Sequence, residues 1–173
     1  MGKGRKVEIP GLGWFDRYKR LIDLGYRSIL EGDEYVYHRW GEEEWLKYVS
    51  DTRPKWTEPV ARRIVEKRGL KPTVEDGLQL WGIYSQEVWG YGDPRYVDAR
   101  MESEGRGILT ALGGCRMWAL RPAEKRGKVP CHKACRNEMQ GVANALSPKF
   151  KVDVPRACPL GDSSCEFVLT AEE

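Results

Sequence analysis

Cysteines dominate the chemistry that this sequence can support. All five cysteines and one of the two histidines, His132, lie between Cys115 and Cys165, which is less than a third of the 173-residue chain. The basic start of the chain is not followed by the apolar core of a signal peptide. We therefore expect the thiols to be reduced, reactive or metal-bound rather than paired in disulfides, and the odd number of cysteines agrees with this.

The segment 130–135 opens a predicted helix with two thiols on it. Pro130 precedes Cys131 in the first turn, where free backbone N–H groups and the helix dipole favour a negative charge, so a thiolate is stabilised there. His132 follows directly, and a direct Cys–His pair requires Cys131 at the non-helical cap because successive helical residues point about 100° apart. Cys135 lies one turn below Cys131 on the same face. Both thiols are also consistent with core positions.

A second cysteine cluster surrounds the tight connection 158–165. Asp162 can accept backbone N–H groups inside this turn, so it is either a turn anchor or a catalytic carboxylate. Cys158 and Cys165 flank the turn and could face each other across a hairpin. Paired C-x-x-C knuckles are absent, so we predict a protein without a metal cofactor. The alternative is a zinc or iron–sulfur site on four thiols: Cys131, Cys135, Cys158 and Cys165.

The N-terminal half of the chain reads as helical. Apolar residues recur at three- and four-residue steps from about Trp14, after a Gly- and Lys-rich tail over the first dozen residues. We predict breaks at Gly32-Asp33 and at Pro54, followed by a short helix over about 58–67 with Thr57 as its N-cap and Gly69 as its C-cap. These residues form the predicted N-terminal helical segment, 1–72.

The pattern changes in the second half, 73–173. Thr73 opens a helix through a capping box, and the stretch 90–94 ends it. Alternation then predicts strands, interrupted by one helix over about 131–146 that begins after Pro130. The predicted strands cover 97–102, 108–112, 115–120, 150–158 and 164–170. Helices first, then strands with one crossover helix, predict an α+β fold in which N-terminal helices pack on an antiparallel sheet, as one compact domain.

Composition excludes several classes of partner. Hydrophobic residues are 40% of the chain and the net charge is +3, without a concentrated basic face of the kind that binds nucleic acid. No apolar run reaches the length of a membrane helix. We therefore expect a cytoplasmic protein with a small-molecule ligand and neither nucleic acid nor membrane as a partner, with a homodimer left open. The seven tryptophans and eight tyrosines suit either a helical core or a ligand pocket.

The order of motifs over about Thr73–Thr170 resembles a known family. It is similar to the L-2-amino-thiazoline-4-carboxylic acid hydrolase family and to the related 4-vinyl reductase-like small-molecule-binding domains, which end in a similar Gly-Asp-x-x-Cys-x-Phe strand. The motifs that carry the resemblance are Cys-Arg-Met-Trp at 115–118, Gly127, Cys131-His132 and Gly161-Asp162-Ser163-Ser164-Cys165-Glu166-Phe167.

The resemblance implies a hydrolase that opens a sulfur-containing ring amidine at a cyclic C–N bond, using a cysteine-bearing pocket. Cys131 would be the nucleophile, His132 the acid or base and Asp162 the orienting carboxylate. The substrate-binding residues would be Cys115, Arg116 and Trp118. The alternative within the same resemblance is a non-catalytic module that binds a small molecule or a metal, zinc or iron–sulfur. The additional cysteines Cys135 and Cys158 depart from the simplest hydrolase pattern and favour that metal or redox variant.

Overall fold

A computed structural model of the chain describes residues 14–88, 97–112, 116–126 and 128–172. These residues form four α-helices and four β-strands, with short 3-10 turns at Ala123–Lys125 and Cys158–Leu160. The helices are α1 (Trp14–Arg68), α2 (Val74–Glu87), α3 (Arg116–Leu120) and α4 (Cys131–Asn144), and the strands are β1 (Val97–Ser103), β2 (Arg106–Ala111), β3 (Phe150–Arg156) and β4 (Cys165–Ala171).

Helix α1 is folded back on itself at Gly41. Gly41 has φ 87° and ψ 177°, a backbone conformation essentially reserved for glycine, and it interrupts the helix. Twenty residues of straight helix would span about 30 Å, yet Nη2 of Arg53 lies 2.7 Å from Oδ2 of Asp33. The arms 14–40 and 42–68 therefore run antiparallel as an αα-hairpin.

Two predicted breaks in this region are wrong. The helix runs through Gly32-Asp33 and through Pro54, and the separate helix over 58–67 is the end of the second arm. Thr57 is not an N-cap: its side chain is buried, and its Oγ1 donates to the backbone oxygen of Glu138 at 3.2 Å. Packing of α4 on this turn stabilises the helix where Pro54 lacks a backbone N–H.

The structure confirms two helix caps that the sequence predicted, one at the end of α1 and one at the start of α2. Gly69 follows the last residue of α1 with φ 66°, as expected of a glycine C-cap. Thr73 precedes α2, and its side chain accepts from the backbone N–H of Asp76 at 3.2 Å. The predicted N-terminal tail and the predicted stop at 90–94 lie outside the described residues.

The sheet is antiparallel throughout, in the order β1-β2-β4-β3. Its strands match four of the five predicted ones, and α4 is the crossover helix between β2 and β3, so the α+β prediction is confirmed. The predicted strand 115–120 is wrong, because its described part forms the helix α3. A short apolar run such as Met-Trp-Ala-Leu fits a strand and a buried helix equally well by its periodicity.

The main core lies between the sheet and the helices α2 and α4. Its largest buried side chains include Trp81, Leu109 and Leu169. Helix α4 also packs closely on the second arm of α1 at Gly141. A Cβ there would lie 2.7 Å from the Cα of Pro54 and would collide with the hydroxyl of Thr57, so only glycine allows this approach.

Within residues 14–88, 97–112, 116–126 and 128–172, no helix is both long enough and apolar enough to cross a bilayer.

We predict that Gly41→Val destabilises the protein by about 1–3 kcal/mol, because a β-branched residue cannot adopt φ 87° without strain. No atom lies within 4 Å of a Cβ built at Gly41, so the cost reports backbone strain alone. Gly32→Ala is the matched control: it lies inside the helix with open space around it, and it should be neutral or stabilise by up to about 1 kcal/mol. Urea unfolding followed by circular dichroism measures both, and equal stabilities for the two variants would contradict a hairpin turn at Gly41.

Candidate thiol site

Cys131 is the first residue of α4. The residue before it, Pro130, provides no side-chain cap, and its carbonyl accepts from the backbone N–H of Lys133 at 2.9 Å. The Cys131 side chain is 6% exposed, and its backbone N–H donates to the carbonyl of Val129 at 2.8 Å. The predicted position in the first turn of a helix is thus confirmed.

Three cysteines and His132 line one narrow, partly open cavity between α4, α3 and the sheet. The cavity holds about 10 Å³, which is room for a single water molecule. Its thiols belong to Cys131, Cys135 and Cys165. The rest of its lining is apolar: Trp118, Val154, Pro159 and Phe167. The structure therefore brings together residues from both cysteine clusters of the sequence. Below, this is called the thiol cavity.

Regular elements position these groups. Cys131 and Cys135 are one helical turn apart on α4, and Cys165 and Phe167 alternate with outward residues on β4, so each pair faces the same side. Cys158 does not line the cavity. It is buried beside it, and its backbone N–H donates to Sγ of Cys165 at 3.4 Å, so the two hairpin cysteines are neighbours as predicted.

His132 presents a neutral imidazole to the cavity. Its side chain is half-buried, and its Nδ1 is buried without a hydrogen-bond partner. Burial lowers the pKa of His132 below the usual value of 6.5, the neighbouring Lys133 lowers it further, and Glu42 opposes the change. The ring is therefore mostly uncharged at neutral pH and able to accept a proton.

The Asp162 carboxylate makes hydrogen bonds within the 158–165 turn and does not line the thiol cavity. Its Oδ2 accepts from the backbone N–H of Ala157 at 2.9 Å, and its Oδ1 accepts from Nε of Arg156 at 3.3 Å. Gly161 before it has φ 98°, so the tight connection requires glycine there. Asp162 is absent from the lining of the thiol cavity. Of its two predicted roles, the structure places it in that of turn anchor.

The predicted substrate-binding residues fall in a region that is partly described. Trp118 lines the cavity from α3, and the guanidinium of Arg126 lies 5.7 Å from the centre of its ring. Arg116 begins α3, but its side chain lies outside the described part, as does all of Cys115. Trp118 is thus the predicted ligand contact that the structure places at the cavity.

The described residues show no arrangement for a bound metal. Among the ranges described above, no three His, Cys, Asp or Glu side chains are arranged to hold one ion. The proposed fourth ligand, Cys158, approaches Cys165 with its backbone N–H. The zinc or iron–sulfur alternative therefore gains no support from this geometry.

Three lining residues were missed by the sequence analysis: Val154, Pro159 and Phe167. Val154 and Phe167 are signalled by strand alternation, because inward residues of β3 and β4 recur every second position next to Cys165. The sequence gives no indication that Pro159 lines a cavity, because a proline at this position is typical of a turn.

Comparison with known proteins adds the fold and nothing more specific. No protein-family model matches the chain, and no curated protein matches it in sequence. A matching solved structure is subunit 3 of the trafficking protein particle complex from Naegleria fowleri, covalently bound to palmitic acid. It aligns with a TM-score of 0.55 at 11% identity, over 91% of this chain and 97% of that one.

At this identity the likeness shows a shared fold. It does not bear on the hydrolase family or on the 4-vinyl reductase-like domains that the motifs resemble, so that resemblance stays a prediction. The small-molecule ligand and the homodimer stay predictions as well.

We predict that His132 titrates below pH 6.5, because burial disfavours its charged form. Just below pH 6.5, His132 is protonated more in the unfolded chain than in the folded protein. The free energy of unfolding therefore falls as the pH drops through this window. Histidine NMR signals followed against pH give the midpoint, and His132→Gln assigns the signal and removes this part of the pH dependence. A midpoint at or above 6.5 would show that the ring is not buried as described.

Proposed function

We propose that this chain is a small-molecule-binding domain whose ligand occupies the thiol cavity without being turned over. One observation carries the proposal: three thiols and a neutral imidazole line one apolar cavity, while the carboxylate expected to orient a catalytic base, Asp162, is bound within the turn. Nucleophilic sites usually orient the base through a third group. The described lining includes no carboxylate.

The lining indicates the kind of ligand. Thiols and aromatic rings are polarizable, so they suit a small ligand that contains a ring or sulfur. The cavity is only about 10 Å³ in the present conformation, so a ligand has to displace part of the wall. Trp118 is the wall residue we expect to move, because it lies on the five-residue helix α3.

The solved protein with the same fold is consistent with an apolar ligand. That trafficking-complex subunit is covalently bound to palmitic acid. A covalent bond between an apolar ligand and a protein of this fold is therefore compatible with its architecture. For the present chain, Cys131 is the thiol best placed for such a bond, since it begins α4 and lines the thiol cavity.

A second candidate function is the hydrolase of the resembled family. It is favoured by the shared position of Cys131 and His132, which both line the cavity at the start of α4. The Cys131 thiol would give its proton to His132 and attack the ring amidine carbon. His132 would pass that proton to the leaving ring nitrogen as the C–N bond breaks, and water would then cleave the new S–C bond and return the thiol to Cys131.

One titration separates the two functions. We predict that L-2-amino-thiazoline-4-carboxylate, added to the full chain, changes the Trp fluorescence of the wild type but not of Trp118→Phe, and is recovered with its ring intact. Cys131→Ala should weaken binding tenfold or more, because it removes a lining thiol. Cys158→Ala is the matched control, since Cys158 is equally buried but lies outside the lining.

Four results decide between the proposals. Ring opening that is lost in Cys131→Ala and kept in Cys158→Ala, measured by liquid chromatography, would replace the binding proposal by the hydrolase. Binding without product that is weakened in Cys131→Ala supports the binding domain. Binding without product that is equally strong in Cys131→Ala and wild type would contradict the binding domain, and absence of both binding and ring opening in the wild type would contradict both functions.

A further inference from the structure

The two edge strands of the sheet differ in how their outer edges are covered. Strand β3 forms one edge and β1 the other. The Gln140 side chain accepts from the backbone N–H of Val152 at 3.0 Å and donates to the carbonyl of Phe150 at 2.8 Å. Nε of Arg136 donates to the carbonyl of Val152 at 3.0 Å. Side chains of α4 therefore close the outer edge of β3 to further pairing.

On β1, hydrogen-bond alternation shows which backbone groups face outward. The N–H of Ala171 on β4 donates to the carbonyl of Gly105, the residue before β2, at 2.9 Å. In an antiparallel sheet the backbone groups of successive residues point to opposite neighbours. The odd-numbered residues of β2 therefore bond β4, and its even-numbered residues bond Asp98 and Arg100 of β1. The remaining groups face outward, and they belong to Val97, Ala99 and Met101.

This outer edge of β1 is open. The side chains of the strand are exposed at every position after Val97. In the part of the chain that the structure describes, no side chain bonds the outward N–H and C=O groups. The strand has neither the lysine nor the proline that commonly protect an edge, so it is a template for pairing with another chain. A register shift between Met101 and Ser103 limits regular pairing to residues 97–101.

In one antiparallel register, the sequence of β1 is complementary to itself. When Ala99 lies opposite Ala99 of a second copy, Asp98 lies opposite Arg100 of that copy, and Val97 lies opposite Met101. Opposite residues share a face of the sheet, so each of these pairs is in contact. The charged pairs lie on the face away from α2. The apolar pairs lie on the face toward α2, where Val97 and Met101 line an open groove of about 420 Å³.

Neighbouring registers lack this complementarity. A pairing centred on Arg100 would place Arg100 opposite itself and Asp98 opposite Glu102. A pairing centred on Asp98 would place that carboxylate opposite itself. Like charges directly opposite each other destabilise a strand pair. The charge pattern therefore selects the register centred on Ala99.

We propose that two copies of this chain associate through β1, antiparallel and with Ala99 on the two-fold axis, so that their sheets become continuous. Each outward residue would exchange two main-chain hydrogen bonds with its opposite residue. Two-fold symmetry repeats the ion pair between Asp98 and Arg100 on both sides of the axis. The pairing is short, so we expect a dimer with a dissociation constant in the micromolar range. The proposal does not depend on the function of the thiol cavity.

The test is sedimentation velocity of the full chain over a concentration series. Asp98→Arg should weaken dimerisation at least about tenfold, because it places two positive charges opposite each other on both sides of the axis. Arg100→Asp should weaken it similarly, for the opposite sign. The double variant Asp98→Arg/Arg100→Asp exchanges the partners and should restore the dimer. Asp153→Arg is the matched control: it makes the same change at an exposed position of the closed strand β3 and should leave the dissociation constant unchanged.

Hydrogen exchange followed by NMR tests the wild type without any substitution. The outward amide of Ala99 should exchange more slowly as the concentration rises, whereas the amide of Val152, already bonded by Gln140, should not depend on concentration. A wild type that stays monomeric throughout the series would overturn the proposal. So would a dimer equally stable in Asp98→Arg, or a double variant that remains monomeric, once circular dichroism shows that the variant is folded. A dimer without concentration-dependent protection of Ala99 would place the interface elsewhere and overturn it too.

Discussion

The buried ion pair between Arg53 and Asp33 is the contact on which the helical half of this protein depends. Both side chains are almost fully buried, 1% and 2% exposed, and they join the two arms of α1 across the turn at Gly41. Burial raises the pKa of Asp33, whereas the charge and hydrogen bonds of Arg53 oppose that rise. Removing one partner of such a pair leaves a buried charge uncompensated, which typically costs about 3–5 kcal/mol.

Helix α4 links the closed hairpin of α1 to the thiol cavity. It packs on the second arm of α1 through the close approach at Gly141, and it carries Cys131 at its start and Cys135 one turn later. Its side chains Arg136 and Gln140 bond the outer backbone groups of β3. One helix therefore supplies two thiols of the cavity and closes one edge of the sheet, and the position of each depends on how the hairpin closes.

Local signals in the sequence predicted the elements that local interactions form. The Thr73 cap, the alternation of β1 and β4 and the helix after Pro130 were all found, because each leaves a pattern within a few residues. The turn of α1 was missed. Gly41 lies in a charged, helix-compatible stretch, and its positive φ is explained by a contact between residues twenty positions apart. The sequence analysis instead predicted breaks at Gly32-Asp33 and Pro54, because glycine and proline disfavour helix. Packing against α4 outweighs that low helix propensity.

The candidate site was predicted in part. Clustering of cysteines pointed to Cys131, His132 and Cys165, which the structure brings to one cavity. Asp162 was a reasonable carboxylate candidate, but turn chemistry accounts for both of its oxygens. The open edge of β1 was not foreseen, since the order of strands in a sheet does not follow from their alternation. A signal was present nonetheless: residues of opposite charge alternate with apolar ones along β1.

The most direct test of the closed hairpin is a double-mutant cycle on its ion pair. Stabilities of the wild type, Asp33→Ala, Arg53→Met and the double variant, from urea unfolding, give the coupling energy between the two positions. The antiparallel arms predict a coupling of at least about 2 kcal/mol, as expected for a buried charge pair in contact. A coupling near zero would contradict the hairpin, because residues twenty positions apart on an unbroken helix, about 30 Å from each other, do not interact.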